Sequence, residues 1–170
     1  MQNEKLQPPP YNYTFKGGTY NSYFFRTSIG IIYEIKFKPS DYLFNEPIVD
    51  DSVFEFVIQV AENPTGKRPL LDKQIAPTIA AIFNEFFQVH KRVVVYICDT
   101  SDAKARVRHR KFNQWFEAFR GLAYFKLDIG VDDIDGTTYY TSLIFRADNP
   151  NTVLIIQAYK QLIDGYAQQK

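Results

Sequence analysis

The chain has little with which to hold zinc or close a disulfide: one cysteine, Cys98, and two histidines, His90 and His109, in 170 residues. A single cysteine excludes an internal disulfide, and its place in a buried-looking strand argues against a nucleophile. So few such residues leave no zinc-ligand spacing. Neither histidine has a serine or cysteine partner at motif spacing, and no GxSxG or Walker sequence occurs. No apolar run approaches the roughly 20 residues of a membrane span, and the opening MQNEKLQPPP lacks the apolar centre of a signal peptide. The expectation is a cytoplasmic protein with no membrane partner. The net charge is only +1, so any pull toward nucleic acid or a membrane has to come from local patches.

Aromatic residues, by contrast, are abundant: 15 Phe and 12 Tyr bring the aromatic share to 16% and argue for a well-packed, sheet-containing domain rather than disorder. Residues 1–18, with three prolines at Pro8 to Pro10 followed by Tyr11, Tyr13 and Phe15, read as an extended arm pinned by its aromatics. Residues 19–170 read as one α/β domain. Strands are expected at 19–26 and 31–38, the second alternating Ile31, Tyr33, Ile35 and Phe37 with Ile32, Glu34, Lys36 and Lys38. A third, 53–60, places Phe54, Phe56, Ile58 and Val60 on one face. Helical spacing then runs through Ile75, Ile79, Ile82, Phe83 and Phe86, with Pro77 in the first turn and Asp72 as its cap. Beyond Gly121, Phe125, Leu127, Ile129 and Val131 alternate. Asp135-Gly136 marks a hairpin, and Tyr139, Thr141, Leu143 and Phe145 form its return strand. Asn149 caps a last helix that begins at Pro150 and buries Ile155, Ile156, Tyr159, Ile163 and Tyr166.

The organising stretch is VVVYICDTSDAKARVRHRKFNQWFEAF, residues 93–119. Val93 to Cys98 is apolar without a break, as in a strand covered on both faces. Asp99, Thr100, Ser101 and Asp102 supply turn chemistry, with Ser101 or Asp102 placed to cap the next helix. Lys104, Arg106, Arg108, Arg110 and Lys111 crowd five positive charges into eight residues. Phe112, Trp115, Phe116 and Phe119 then share one helix side, which also takes in Ala105 and Arg108, while Arg106 and Arg110 lie four apart on the flank away from it. The aromatic half docks the helix. The basic half is either a solvated face, partly paired with Asp99 and Asp102, or an anion-binding surface. Asp99 and Asp102 also sit at the carboxyl end of a central strand, where α/β folds place active sites and where a nuclease would hold Mg²⁺. Asp128, Asp132, Asp133 and Asp135 lack the calcium-loop pattern and read as turn acidity.

The segments YEIKFKPS, VFEFVIQ, TIAAIFNEFF, YICDTSDAKARVRHRKFNQWF, KLD and YYTSLI resemble, over nearly the whole chain, an uncharacterised family of small proteins mostly from Bacteroidota, classed as a domain of unknown function. The element order is also similar to the GNAT acyltransferase core without its first strand and two leading helices. That resemblance implies acyl-CoA as cofactor, held by a glycine-rich loop opening the first core helix. The matching LLDKQIAPTIAAIF has no glycine. The family's acid, a tyrosine before a Gly-Phe pair, falls near Phe116 of WFEAFRGL, one residue out of register and without a hydroxyl. The fold expected is α/β (α+β): a single mixed, mostly antiparallel sheet with three helices in the order βββαβαββα. The function expected is a non-catalytic interaction or regulatory protein without a cofactor, binding an acidic protein or nucleic acid through its basic helix. A divergent acyltransferase comes second and a metal-dependent nuclease third.

Overall fold

The computed structural model describes residues 7–44, 51–98, 100–121, 123–132 and 134–167, apart from a few side chains. Its elements are β1 (Tyr13–Gly17), β2 (Ser22–Arg26), β3 (Ile32–Pro39), β4 (Val53–Glu62), α1 (Ile75–Phe86), β5 (Val93–Ile97), α2 (Ala105–Phe119), β6 (Tyr124–Asp132), β7 (Thr138–Arg146) and α3 (Thr152–Ala167). The strands form one sheet in the order β1-β2-β3-β4-β5-β7-β6. Only β4 and β5 run parallel; every other neighbouring pair is antiparallel. The mixed, mostly antiparallel sheet with three helices is as the sequence predicts.

It holds one strand more than expected. Within the predicted arm, β1 pairs with β2, Tyr13 opposite Phe25 and Phe15 opposite Tyr23. The reason lies in Gly17 and Gly18, whose φ values of 68° and 74° turn the chain back on itself where side chains with a Cβ seldom go. That turn takes up Thr19 and Tyr20, so the next strand starts at Ser22 rather than at 19. Before β1, Tyr11 pins the arm as anticipated. Its amide donates to Thr78 Oγ1 (2.8 Å), its hydroxyl to Asp72 (2.8 Å), and its ring stacks on Phe25.

Alternation decides which side of each strand is covered. Tyr23, Phe25, Tyr33, Ile35, Phe37, Phe54 and Phe56 point to the face that α1 covers with Ile79, Ile82 and Phe86. The Phe37 and Phe86 rings stack face to face, centroids 3.7 Å apart and planes nearly parallel. The reverse face of β3 and β4 carries ion pairs instead, Lys36 with Glu34 at 3.3 Å and Lys38 with Glu55 at 3.2 Å. Beyond β4 the sheet is covered twice. Val94 and Ile144 face α1 and α2, while Val93, Val95, Leu143 and Phe145 face Ile155 of α3. The unbroken apolar run of β5 follows from that double burial.

In α3 the buried stripe departs from expectation. Ile155 is buried, and Ile156 and Tyr159 pack beside it, but Ile163 is exposed and Leu162 takes the inward place. Steps of four and three from Ile155 lead to Tyr159 and Leu162, which is the helical repeat. The side chains of Val131 and Tyr166 lie outside the described residues.

The two parallel strands stay paired only through Val53/Val93, Phe54/Val94 and Glu55/Val95. Past that point β4 keeps β3 as its neighbour and β5 keeps β7. Three rings meet there: Phe56 and Tyr96 at 5.7 Å, Phe56 and Phe112 at 5.9 Å, Tyr96 and Phe112 at 4.1 Å. Phe112 thereby anchors α2 across the seam between the two parts of the sheet.

Candidate anion-binding surface on the second helix

The approach to α2 is a tight turn. Ala103 adopts a left-handed φ of 57°, and Asp102 Oδ1 accepts the Lys104 amide at 3.1 Å. Asp102 therefore ties down the turn, while Lys104 holds the cap position without a side-chain hydrogen bond. Asp99, its expected companion, lies outside the described residues, as does Asp133. At α1 the predicted cap is displaced likewise: Asp72 accepts the Gln74 amide at 2.9 Å, and Gln74 precedes the helix without a side-chain cap bond. Ala105 and Phe112, seven residues apart, are buried, and Trp115 and Phe116 pack half-buried against the same core.

The fold sorts the five cations of this helix. Arg108 sends both terminal nitrogens to Asp102, at 2.7 and 2.5 Å, and this hydrogen bonding holds the Asp102 carboxyl below the ordinary carboxylate range. Lys111 sits 4.9 Å over the Trp115 ring. Lys104 is exposed at the helix start. Arg106 and Arg110, both exposed and one turn apart, have no ion-pair partner among the described residues. Together they border an open depression of about 610 Å³ that is also lined by His109, Asn113, Gln114, Glu117 and Tyr140.

The floor of this depression is polar and incompletely satisfied. The His109 ring stacks on Tyr140, centroids 4.9 Å apart, and His109 Nε2 shares a hydrogen bond of 3.2 Å with Asn113 Nδ2. His109 Nδ1 and Asn113 Oδ1 are buried without a hydrogen-bond partner among the described residues. Burial pushes the His109 pKa down, Asp128 opposes that shift, and Lys126 adds to it. A neutral imidazole therefore lies between the two arginines and the sheet. Glu117 closes the other end of the depression and pairs with Arg120 at 3.0 Å. The surface is thus cationic at its opening turn and amide-lined beyond it. Such a surface suits an anionic group held by guanidinium forks.

The remaining candidates have other occupations. Asp128 accepts from Ser142 at 2.6 Å and pairs with Lys126. Asp135 accepts the Thr137 amide at 2.8 Å inside its hairpin turn, which lowers its pKa. Among the described residues no three His, Cys, Asp or Glu side chains gather where they would hold a metal ion. Cys98 is buried, and burial pushes its thiol pKa up. His90 faces Asp148 at 3.3 Å on the surface. Phe119 and Arg120 line a separate apolar cavity of about 50 Å³ between α1 and α2.

Arg106, His109, Arg110, Asn113, Gln114 and Glu117 are a single helical stripe with spacings of three and four. The sequence carries that signal, but the aromatic stripe beside it is louder. Tyr140, from a strand 30 residues later, carries none. No helix among the described residues is long and apolar enough to cross a membrane.

Comparison with known proteins gives one match. No curated protein and no solved structure matches the chain. Residues 71–161 match the model of a family of unknown function (DUF6169). That span is narrower than the nearly complete resemblance expected from the sequence, yet it takes in α1, β5, α2, β6, β7 and most of α3, and with them every residue of the depression. As more than half of its length is covered, the chain belongs to the family of unknown function DUF6169.

Proposed function

We propose that the protein is a non-catalytic interaction protein that holds an acidic partner or nucleic acid on the flank of α2. The observation that carries this reading is the pair Arg106 and Arg110, free of ion pairs among the described residues and set on the rim of a depression. A cation in the first turn of a helix, such as Arg106, is disfavoured by the dipole, by about 0.3–1 kcal/mol at an exposed position. Two cations that lack a carboxylate partner add no compensating pair to the fold, and an external anion supplies one. Guanidiniums one turn apart suit successive phosphates or a row of carboxylates.

Fluorescence anisotropy with a labelled single-stranded oligonucleotide and with an acidic peptide tests this. Arg106→Ala/Arg110→Ala is expected to weaken the cognate probe by about tenfold or more and to reduce the salt slope by about one for each phosphate contact removed. Unchanged affinity in a variant with unchanged circular dichroism would sink the idea.

One observation favours a second reading, a divergent acyl-CoA-dependent acyltransferase. β1 stands where the element order expected from the sequence lacks the first strand of the GNAT core, and the parallel β4–β5 pair gives the sheet a switch point of the kind where α/β folds bind ligands. The Phe56, Tyr96 and Phe112 rings where those strands part, and a first core helix opening without glycine, weigh against it. Calorimetry that detects no acyl-CoA binding at millimolar cofactor would dismiss it. A nuclease is not proposed, because Asp102 commits both carboxylate oxygens to Arg108.

A further inference from the structure

A second surface lies in the irregular chain between β4 and α1. Leu70 and Leu71 are each 81% exposed, side by side. Lys67 and Arg68 precede them and Lys73 follows; all three are exposed and have no ion pair among the described residues. Two adjacent leucines this far from the core give up most of the stabilisation that burial would bring.

The loop is not slack. At its start, Asn63 Oδ1 accepts the Thr65 amide at 3.1 Å and Asn63 Nδ2 donates to the Lys67 carbonyl at 2.7 Å. At its end, Asp72 accepts from the Tyr11 hydroxyl and the Gln74 amide, and Gln74 Nε2 donates to the Pro9 carbonyl at 2.9 Å. The same Tyr11 hydroxyl accepts the Ser28 amide at 3.2 Å, which brings the β2–β3 turn alongside with Ile29, itself 55% exposed. The fold therefore holds the leucines out between two anchored ends. At such exposure they stand clear of the loop rather than line a groove.

We propose that this loop docks the protein onto an anionic lipid surface, a peripheral contact that departs from the expectation of no membrane partner, which rested on the lack of a spanning segment. Projecting aliphatic side chains flanked by free cations match an interface that is deformable, apolar just below its surface and negatively charged at it. Leu70 and Leu71 enter the acyl boundary, Ile29 broadens the contact, and Lys67, Arg68 and Lys73 meet the phosphates with their aliphatic stems laid along the apolar part. A protein partner would need a preformed acidic pocket around two leucines, and nothing in this chain asks for one.

Co-sedimentation of the full chain with vesicles of phosphatidylcholine, alone or mixed with phosphatidylglycerol, tests the proposal. Binding is expected to the mixed vesicles and not to the neutral ones. Leu70→Ser/Leu71→Ser and Lys67→Glu/Arg68→Glu should each weaken it by roughly tenfold or more. Both pairs lie on an exposed loop, and unchanged circular dichroism confirms that each variant is folded. No sedimentation with mixed vesicles would overturn the proposal and leave an acidic protein pocket as the occupant. Sedimentation that survives the leucine substitutions but disappears in Arg106→Glu/Arg110→Glu would also overturn it, by assigning the contact to α2.

Discussion

The two parts of the sheet solve the same problem differently. From β1 to β4, one face packs aromatic rings under α1; the other carries ion pairs on β3 and β4, Lys36 with Glu34 and Lys38 with Glu55, until Val53 at the start of β4 turns under α3. From β5 to β6, α2 lies on one side and α3 on the other, and the smaller core beneath α3 is mostly aliphatic. Three residue pairs join the two parts. A strand covered once must alternate, because its free face needs charge to stay in water; a strand covered twice cannot afford that charge. The contrast between YEIKFK and VVVYI is that rule written in sequence. It also shows why α2, laid across the second part with Phe112 at the seam, can leave a polar stripe on its flank while its aromatic side secures it.

The sharpest test of this contrast is truncation within the aromatic face. Phe86 stacks on Phe37, meets Phe54 at 5.1 Å and lies 4.1 Å beneath the Arg92 guanidinium. Phe86→Ala should cost about 3–5 kcal/mol in a urea titration. A loss below about 1 kcal/mol would mean that the ring stack does not support the first part of the sheet.

A smaller effect is expected at the α2–β7 contact in the second part. Burial lowers the His109 pKa in the folded chain, whereas the unfolded chain titrates near the ordinary value of about 6.5. The unfolded state thus takes up its proton first as the pH falls. Stability contributed by neutral His109 is present above that ordinary value and is lost as the pH drops through the depressed folded value. His109→Phe should flatten the fall in the urea midpoint between about pH 8 and about pH 5. An identical slope in both proteins would contradict the assignment.

The smallest change belongs to the polar reverse face. Lys38→Ala removes the partner of Glu55 on a solvated surface and should cost less than about 1 kcal/mol in the same titration. A larger loss would show that this face is covered after all.

Much of this architecture can be read directly from residue order. Alternation in IIYEIKFKP and VFEFVIQV, the run at Val93 and the Asp135-Gly136 hairpin each lead to the observed element. The misses share a cause. Strand β1 depends on a glycine turn whose partner strand is needed to make it meaningful, and Tyr13–Gly17 is too short to announce itself. Ile163 gave way to Leu162 because neighbouring apolar residues compete for the same stripe until the sheet selects the angle. At the site, sequence separated Arg106 and Arg110 from the docking side of α2, but it treated five cations as equals.

What the sequence by itself determined is therefore the alternating and continuous apolar patterns, and through them the number of helices and the mixed sheet. Those properties are local, set by side-chain periodicity along a strand or around a helix. Only the tertiary structure decided which cations are free. Arg108 found Asp102 and Lys111 found Trp115, while Arg106 and Arg110 were left beside Tyr140 from a different strand. Pairing a charge depends on distances across the fold, and those distances exist only once the chain has closed on itself.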